Sequence, residues 1–320
     1  MRHVGAKVWA AKRWSAMRTS VSGEMFGLLG DAVGTEIQVK AATSAACAAF
    51  LTAIFAPSLA PQDPFNIAEL DLFDSELPPA WVEGGSAAYL LGTDTQARDV
   101  LSSIMYGMRI SLLVGFASVI LAAVMGVALG LLGGFLGGIV DAVLMRIADV
   151  LLSFPPILVA LLINGVLRGA LPSSAQAESA LIVLILSIGL TNWVQYARTV
   201  RGSTMVERRK EYIEAARTLG TGKLAIMIKH ILPNVLGPVL VIATINLGMA
   251  VLTEATLSFL GVGMPPTQPS LGTLIQIGNE FLFSGIWWVV VFPAAVLAIL
   301  VLAVNLLGDW LRDALNPKLR

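Results

Sequence analysis

Residues 110–140 contain no charged side chain. Comparable uncharged, apolar runs occupy residues 41–60, 179–197, 231–253 and 281–308. A helix needs roughly 20 such residues to cross the hydrocarbon of a bilayer. Backbone N–H and C=O groups placed there must be satisfied within the segment, so long helices are the natural outcome. Only 13% of the residues are charged against 56% hydrophobic, and the mean hydropathy is +0.80. Soluble domains carry about 25% charged residues. The chain is therefore expected to be an all-α integral membrane protein.

Basic residues concentrate in cytoplasmic loops, and this orients the spans. Residues 1–40 hold Arg2, Lys7, Lys12, Arg13, Arg18 and Lys40 and read as a cytoplasmic tail. Residues 41–60 form the first span, stopped by Pro61 and Pro64. The next region, 61–109, reads as an extracytoplasmic loop followed by a short interfacial helix over 98–109. Its loop carries Asp63, Glu69, Asp71, Asp74, Glu76, Glu83 and Asp94 with no Lys or Arg before Arg98. Residues 110–308 supply five more spans around a basic cytoplasmic loop at 198–230, and 309–320 form a second cytoplasmic tail. Six spans with both termini inside place 18 of the 21 basic residues in the cytoplasm; Arg98, Arg109 and Arg168 are the exceptions. Within the second span, Gly126, Gly130, Gly134 and Gly138 recur every four residues and present a small-residue face for a neighbouring helix. Arg146 and Asp149, three apart, can pair at the start of the third span, and Pro155-Pro156 should kink or interrupt it.

Catalytic constellations are missing from the sequence. Neither His3 nor His230 has a His, Cys or acid at metal-ligand spacing. No nucleophile elbow occurs. Gly222-Lys223 is followed by Leu224, so there is no Walker A loop, and no ATP hydrolysis is expected in this chain. The single cysteine, Cys47, excludes an intrachain disulfide and reads as a small core residue. Glu254 is the one carboxylate well inside an apolar run. It reads either as a functional intramembrane group or as a carboxyl hydrogen-bonded to a neighbouring helix. As a functional group it would be central to a proton-coupled secondary transporter. Possible gate or pathway residues are Glu254, Ser258, Asp149 and Pro155.

The polar island at 207–234 breaks this apolar pattern. Its first part is a helix-forming stretch with alternating charge, in which Lys210–Glu214 and Glu214–Arg217 are spaced for ion pairs. Tyr212, Ala215, Ala216 and Leu219 make a modest apolar face. Gly220 suits a left-handed helix end, and residues 223–231 can begin a second helix. Such a helix-turn-helix on the cytoplasmic surface suits either anionic lipid or the groove of another protein.

Glu214-Ala215-Ala216, Gly220 and Ile231-Leu232-Pro233 resemble the EAA loop of ABC-importer permeases. Gly92-Thr93-Asp94 with Arg98-Asp99-Val100-Leu101-Ser102 resembles an element of the dipeptide, oligopeptide and nickel permeases of the DppC/OppC type. Ala56-Pro57 through Asp63-Pro64 resembles the end of that family's first helix. Glu254 with Leu257-Ser258-Phe259-Leu260-Gly261 and Pro265-Pro266 resembles its fifth-helix signature. Ala97 stands where the family usually has Gly, and Leu271 where Trp is common; the first bears on a tight turn, the second on the outer gate. The resemblance implies a type I, MetI-like fold and a non-catalytic subunit moving di- or oligopeptides by alternating access. It also implies that Tyr212, Glu214, Ala215, Ala216, Arg217, Leu219, Gly220 and Pro233 form the loop that docks on an ATPase. The implied partners are a second, DppB/OppB-like permease, two cytoplasmic ATPases that hold the ATP and Mg, and an extracytoplasmic substrate-binding protein. The chain is expected in the bacterial inner membrane, in contact with the lipid bilayer and with no nucleic acid. Nickel, glutathione and oligosaccharides are alternative cargoes within the same family.

Overall fold

The computed structural model describes residues 43–314, apart from residue 45 and residues 67–69. The expected N-terminal tail and the last residues of the expected C-terminal tail lie outside the described residues. Helix α1 covers residues 46–54 and bends at Phe55 before the short turn Ala56–Leu59. Cys47 on α1 is exposed rather than buried in the core. The segment that follows is compact. The Thr93 hydroxyl donates to Asp74 O (2.6 Å) and accepts from Leu77 N (2.9 Å). The Trp288 indole N–H donates to Thr93 O at 2.9 Å, joining this segment to the last helix. The Asp94 carboxyl accepts from Gln96 N and Arg98 N, and its burial pushes its pKa up. Ala97 itself sits at φ +59°, in the left-handed region where glycine is at ease. The tight turn survives the substitution, with Ala97 N bonded to Asp94 O.

Asp99 caps α2, Val100–Leu136, by accepting from Ser102 N at 2.9 Å. This helix corrects two expectations. The stretch at 98–109 is no separate interfacial helix, because no residue after the Asp99 cap interrupts the backbone ladder. The second span also ends before residue 140, because Gly137 and Gly138 take φ +69° and +57° and turn the chain. Helices α3 (Gly138–Leu152) and α4 (Pro156–Gly169) follow, bent by 100° at the break between them. Of the two expected outcomes, a kink or an interruption, the third span shows the interruption. Pro155-Pro156 interrupt the hydrogen-bond ladder and hold Pro155 in an extended conformation.

Helix α5, Ala180–Glu207, runs ten residues past its expected end, and α6, Glu211–Thr218, is the short helix of the polar island. Helix α7 runs from Lys223 to Phe259 and contains a π-helical stretch, Ile226–Ile231. Pro233 falls near the start of its α-helical part, so its missing N–H does not stop the helix. Helix α8, Leu271–Phe281, is separated by a turn at Leu282–Ser284 from α9, Trp288–Ala314. The expected last span at 281–308 therefore begins later than anticipated. Among the described residues four helices are long and apolar enough to cross a membrane, or five when the bent pair counts as one. The first expected span, residues 41–60, is only partly within the described residues.

The glycine stripe brings α2 against α5. A Cβ on Gly126 would stand 2.4 Å from the Tyr196 Cβ, on Gly130 2.5 Å from Ala197 O, and on Gly134 2.8 Å from Arg201 O. No side chain larger than hydrogen fits at those three positions. Gly138 takes no part, with nothing near its Cβ position. Asp141 and Asp149 of α3 pair with Arg201 (2.6 Å) and Arg198 (2.6 Å) of α5. The expected Arg146–Asp149 pair gives way to this tie between helices.

Candidate functional site

Helix α6 lies between the ends of α5 and α7. Lys210 precedes its first turn, where Glu211 and Glu214 suit the positive end of the helix dipole. At the other end Thr221 N bonds to Ala216 O and Gly220 N to Arg217 O, both at 3.0 Å. These are the two bonds of a Schellman ending, and Gly220 at φ +79° supplies its left-handed residue. The expected left-handed helix end at Gly220 is present.

The buried side of α6 is Ile213 and Ala216, packed in one cluster with Phe135 of α2 and with Ile226, Met227 and Ile231 of α7. Ile213 was not singled out from the sequence, although it stands three residues before Ala216 on the same helix face. Tyr212, Glu214, Ala215, Arg217, Gly220 and Pro233 are exposed, and Leu219 is 85% exposed. The expected apolar face of Tyr212, Ala215, Ala216 and Leu219 is therefore divided: Ala216 faces the protein and the others face outward. Leu224 and Ile228 continue the exposed apolar surface along α7.

Polar contacts fix α6 and the corner that precedes it. The Arg208 guanidinium donates to the last carbonyls of α2, Gly134 O at 2.8 Å and Phe135 O at 3.0 Å. The Tyr212 hydroxyl donates to the Glu207 carboxylate, and Asn234 Nδ2 donates to the Tyr212 hydroxyl at 3.1 Å. Desolvation and then the Glu207 bond push the Tyr212 pKa up to about 12. The expected ion pairs of Glu214 are replaced. Lys210 lies outside the helix and reaches back to buried Glu207 at 2.8 Å, while Arg217 lies over the Phe135 ring at 5.6 Å.

A second polar cluster surrounds Glu254, which is 0% exposed. Its Oε2 accepts from Ser111 Oγ of α2 and its Oε1 from Ser258 Oγ, both at 2.7 Å. Ser258 Oγ accepts in turn from Ser270 Oγ (3.2 Å) and Met264 N (3.3 Å), and Ser111 Oγ accepts from Leu271 N at 3.2 Å. Glu254 and Ser258 thus meet in one network joining α2, α7 and α8. Ser270 also caps α8, a role its place before an apolar run signals. Ser111 carried no comparable sequence signal. Asp149 is outside this network, in its pair with Arg198, and Pro155 is exposed at the α3–α4 break. On the same side as α8, Arg168 donates to Gly263 O and Arg98 to Pro266 O at 3.1 Å. Two of the three arginines outside the cytoplasmic pattern therefore brace the turn between α7 and α8.

Residues 126–320 match the family described as the inner membrane component of binding-protein-dependent transport systems. The chain is 44% identical over 269 residues to the dipeptide transport system permease DppC of Escherichia coli K12, covering 84% of this chain and 85% of that one. It is 41% identical over 270 residues to DppC of Haemophilus influenzae, covering 84% and 87%. The di/tripeptide permease DppC of Pseudomonas aeruginosa is 38% identical over 268 residues, with 84% of each chain covered. The inward-facing MetNI methionine ABC transporter shares the fold, with a TM-score of 0.52 at 23% identity over 67% of this chain and 96% of that one. The chain belongs to the inner membrane components of binding-protein-dependent transport systems, as a multi-pass ABC-importer permease of the DppC/OppC type.

Proposed function

We propose that this chain forms half of the membrane path of an ATP-driven importer for di- and oligopeptides, and that α6 is the helix through which ATPase motion enters it. The observation that carries the reading is the two-sided placement of α6. Ile213 and Ala216 anchor it to α2 and α7, while Glu214, Ala215, Thr218 and Leu219 remain exposed. A small-residue helix face of this kind enters a groove closely. The peptide cargo rests on the named activity of the DppC relatives.

The proposed assembly pairs the chain with a second permease, two ATPases and an extracytoplasmic binding protein, with both ends of this chain in the cytoplasm. ATP-driven closure of the ATPases moves α6, and the attached helices rock to alternate access. The path is assigned to the side where α3 and α4 meet near Asp149 and Pro155. The exposed apolar residues Ile139, Ile147, Phe154, Leu158 and Leu162 there suit contact with the second permease. Glu254 and Ser258 are assigned to holding α7 against α2 and α8. A proton carrier would need Glu254 to meet the path, whereas its two oxygens are taken by serine hydroxyls.

The test is uptake by the reconstituted complex carrying Glu214→Lys or Gly220→Pro. Either change is expected to lower uptake by about tenfold or more, the equivalent of ~1.4 kcal/mol of coupling, with membrane insertion intact. Wild-type uptake with normal ATPase association would refute the assignment.

A further inference from the structure

We infer that Tyr212 is a positioning residue for coupling: its hydroxyl bridges Glu207, the last residue of α5, and Asn234, just past the π-helical stretch of α7, so that α6 and both membrane helices move as one body. The inference rests on the reading of α6 as the docking helix and goes beyond it by naming the group that transmits the motion.

Covalent links alone transmit motion poorly here. Three residues join α6 to α5, and the turn leading to α7 contains Gly220 and Gly222. Nothing lies within 4 Å of a Cβ built on either glycine. The apolar contact of Ile213 and Ala216 resists separation, but it is non-directional. The tyrosine bridge is directional and has both ends anchored. Glu207 is buried and also takes the Lys210 ammonium at 2.8 Å. Asn234 donates to His230 O at 2.7 Å as well as to the tyrosine at 3.1 Å. Arg208, next to Glu207, fixes the same corner to the end of α2. A phenol hydroxyl can donate to the carboxylate while accepting from the amide. A phenyl ring of nearly equal size can do neither.

The bridge predicts a particular failure. In the intact complex reconstituted in liposomes, Y212F should keep its ATPases bound and hydrolysing, while substrate moved per ATP hydrolysed falls about fivefold or more. N234A, at an exposed side chain, should lower the same ratio. E207Q keeps an acceptor oxygen for the tyrosine and should retain most of the coupling. An unchanged ratio in Y212F would overturn the inference. So would uptake and hydrolysis falling together with loss of the ATPases, because the tyrosine would then only shape the docking surface. Glu214→Lys in parallel separates the two levels. If it abolishes uptake while Y212F leaves the ratio intact, the bridge alone is wrong. If Glu214→Lys itself has no effect, the docking assignment fails first.

Discussion

At the scale of single residues, Glu254 shows how a costly group is accommodated at membrane depth. Each of its oxygens meets a hydroxyl donor, and those hydroxyls accept from the backbone N–H groups of Met264 and Leu271. The carboxyl is thus the centre of a joint among α2, α7 and α8. Glu254→Leu leaves the Ser111 and Ser258 hydroxyls without their acceptor, at about 1–3 kcal/mol for each buried group. The expected outcome is a clear drop in the thermal stability of the purified protein. Glu254→Gln retains an acceptor oxygen, and uptake by that variant should persist in proton-uncoupled membranes while collapsing on ATP depletion. Uptake that follows the proton gradient would reverse the assignment. The sequence marked Glu254 as unusual and left two roles open. Only the tertiary position of Ser111, far away along the chain, shows what its Oε2 bonds to.

At the scale of elements, close backbone approach decides where helices can pack. Gly130 faces Ala197 O so closely that Gly130→Leu should force α2 and α5 apart. A destabilisation of about 1–3 kcal/mol is expected from overpacking, measured as a lower unfolding temperature in detergent. Gly165→Ala is the control, since nothing lies within 4 Å of its Cβ position. There alanine should be neutral or stabilising by up to ~1 kcal/mol. The stripe was legible because it depends on spacing alone. Helix ends were less legible. An uncharged run marks the part of a helix inside the hydrocarbon, whereas α5 and α7 continue through Arg198, Arg201, Lys223 and Lys229. Charged residues end a membrane span without ending a helix.

At the scale of the whole molecule, the two faces should be chemically separable. Phe73, 96% exposed, belongs to the loop expected outside, and Leu219 to the loop expected inside. With Cys47 replaced by serine, Phe73→Cys should react with a membrane-impermeant thiol reagent in cells whose inner membrane is intact. Leu219→Cys should react only after permeabilisation. The opposite pattern would invert the topology.

By itself the sequence determined that the chain is helical and membrane-embedded, which stretches are basic, and where a short polar helix with a glycine end would lie. Each of these follows from local quantities: hydropathy over a window, the distribution of charge, and the backbone freedom of one residue. Tertiary structure decided which side of α6 is anchored, which partners Lys210, Arg217 and Asp149 take, and what Glu254 holds together. Those outcomes depend on groups distant in sequence and near in space. Side-chain pairing follows the distances that packing imposes, and a helix offers several partners at its own spacing before a neighbouring helix supplies a better one.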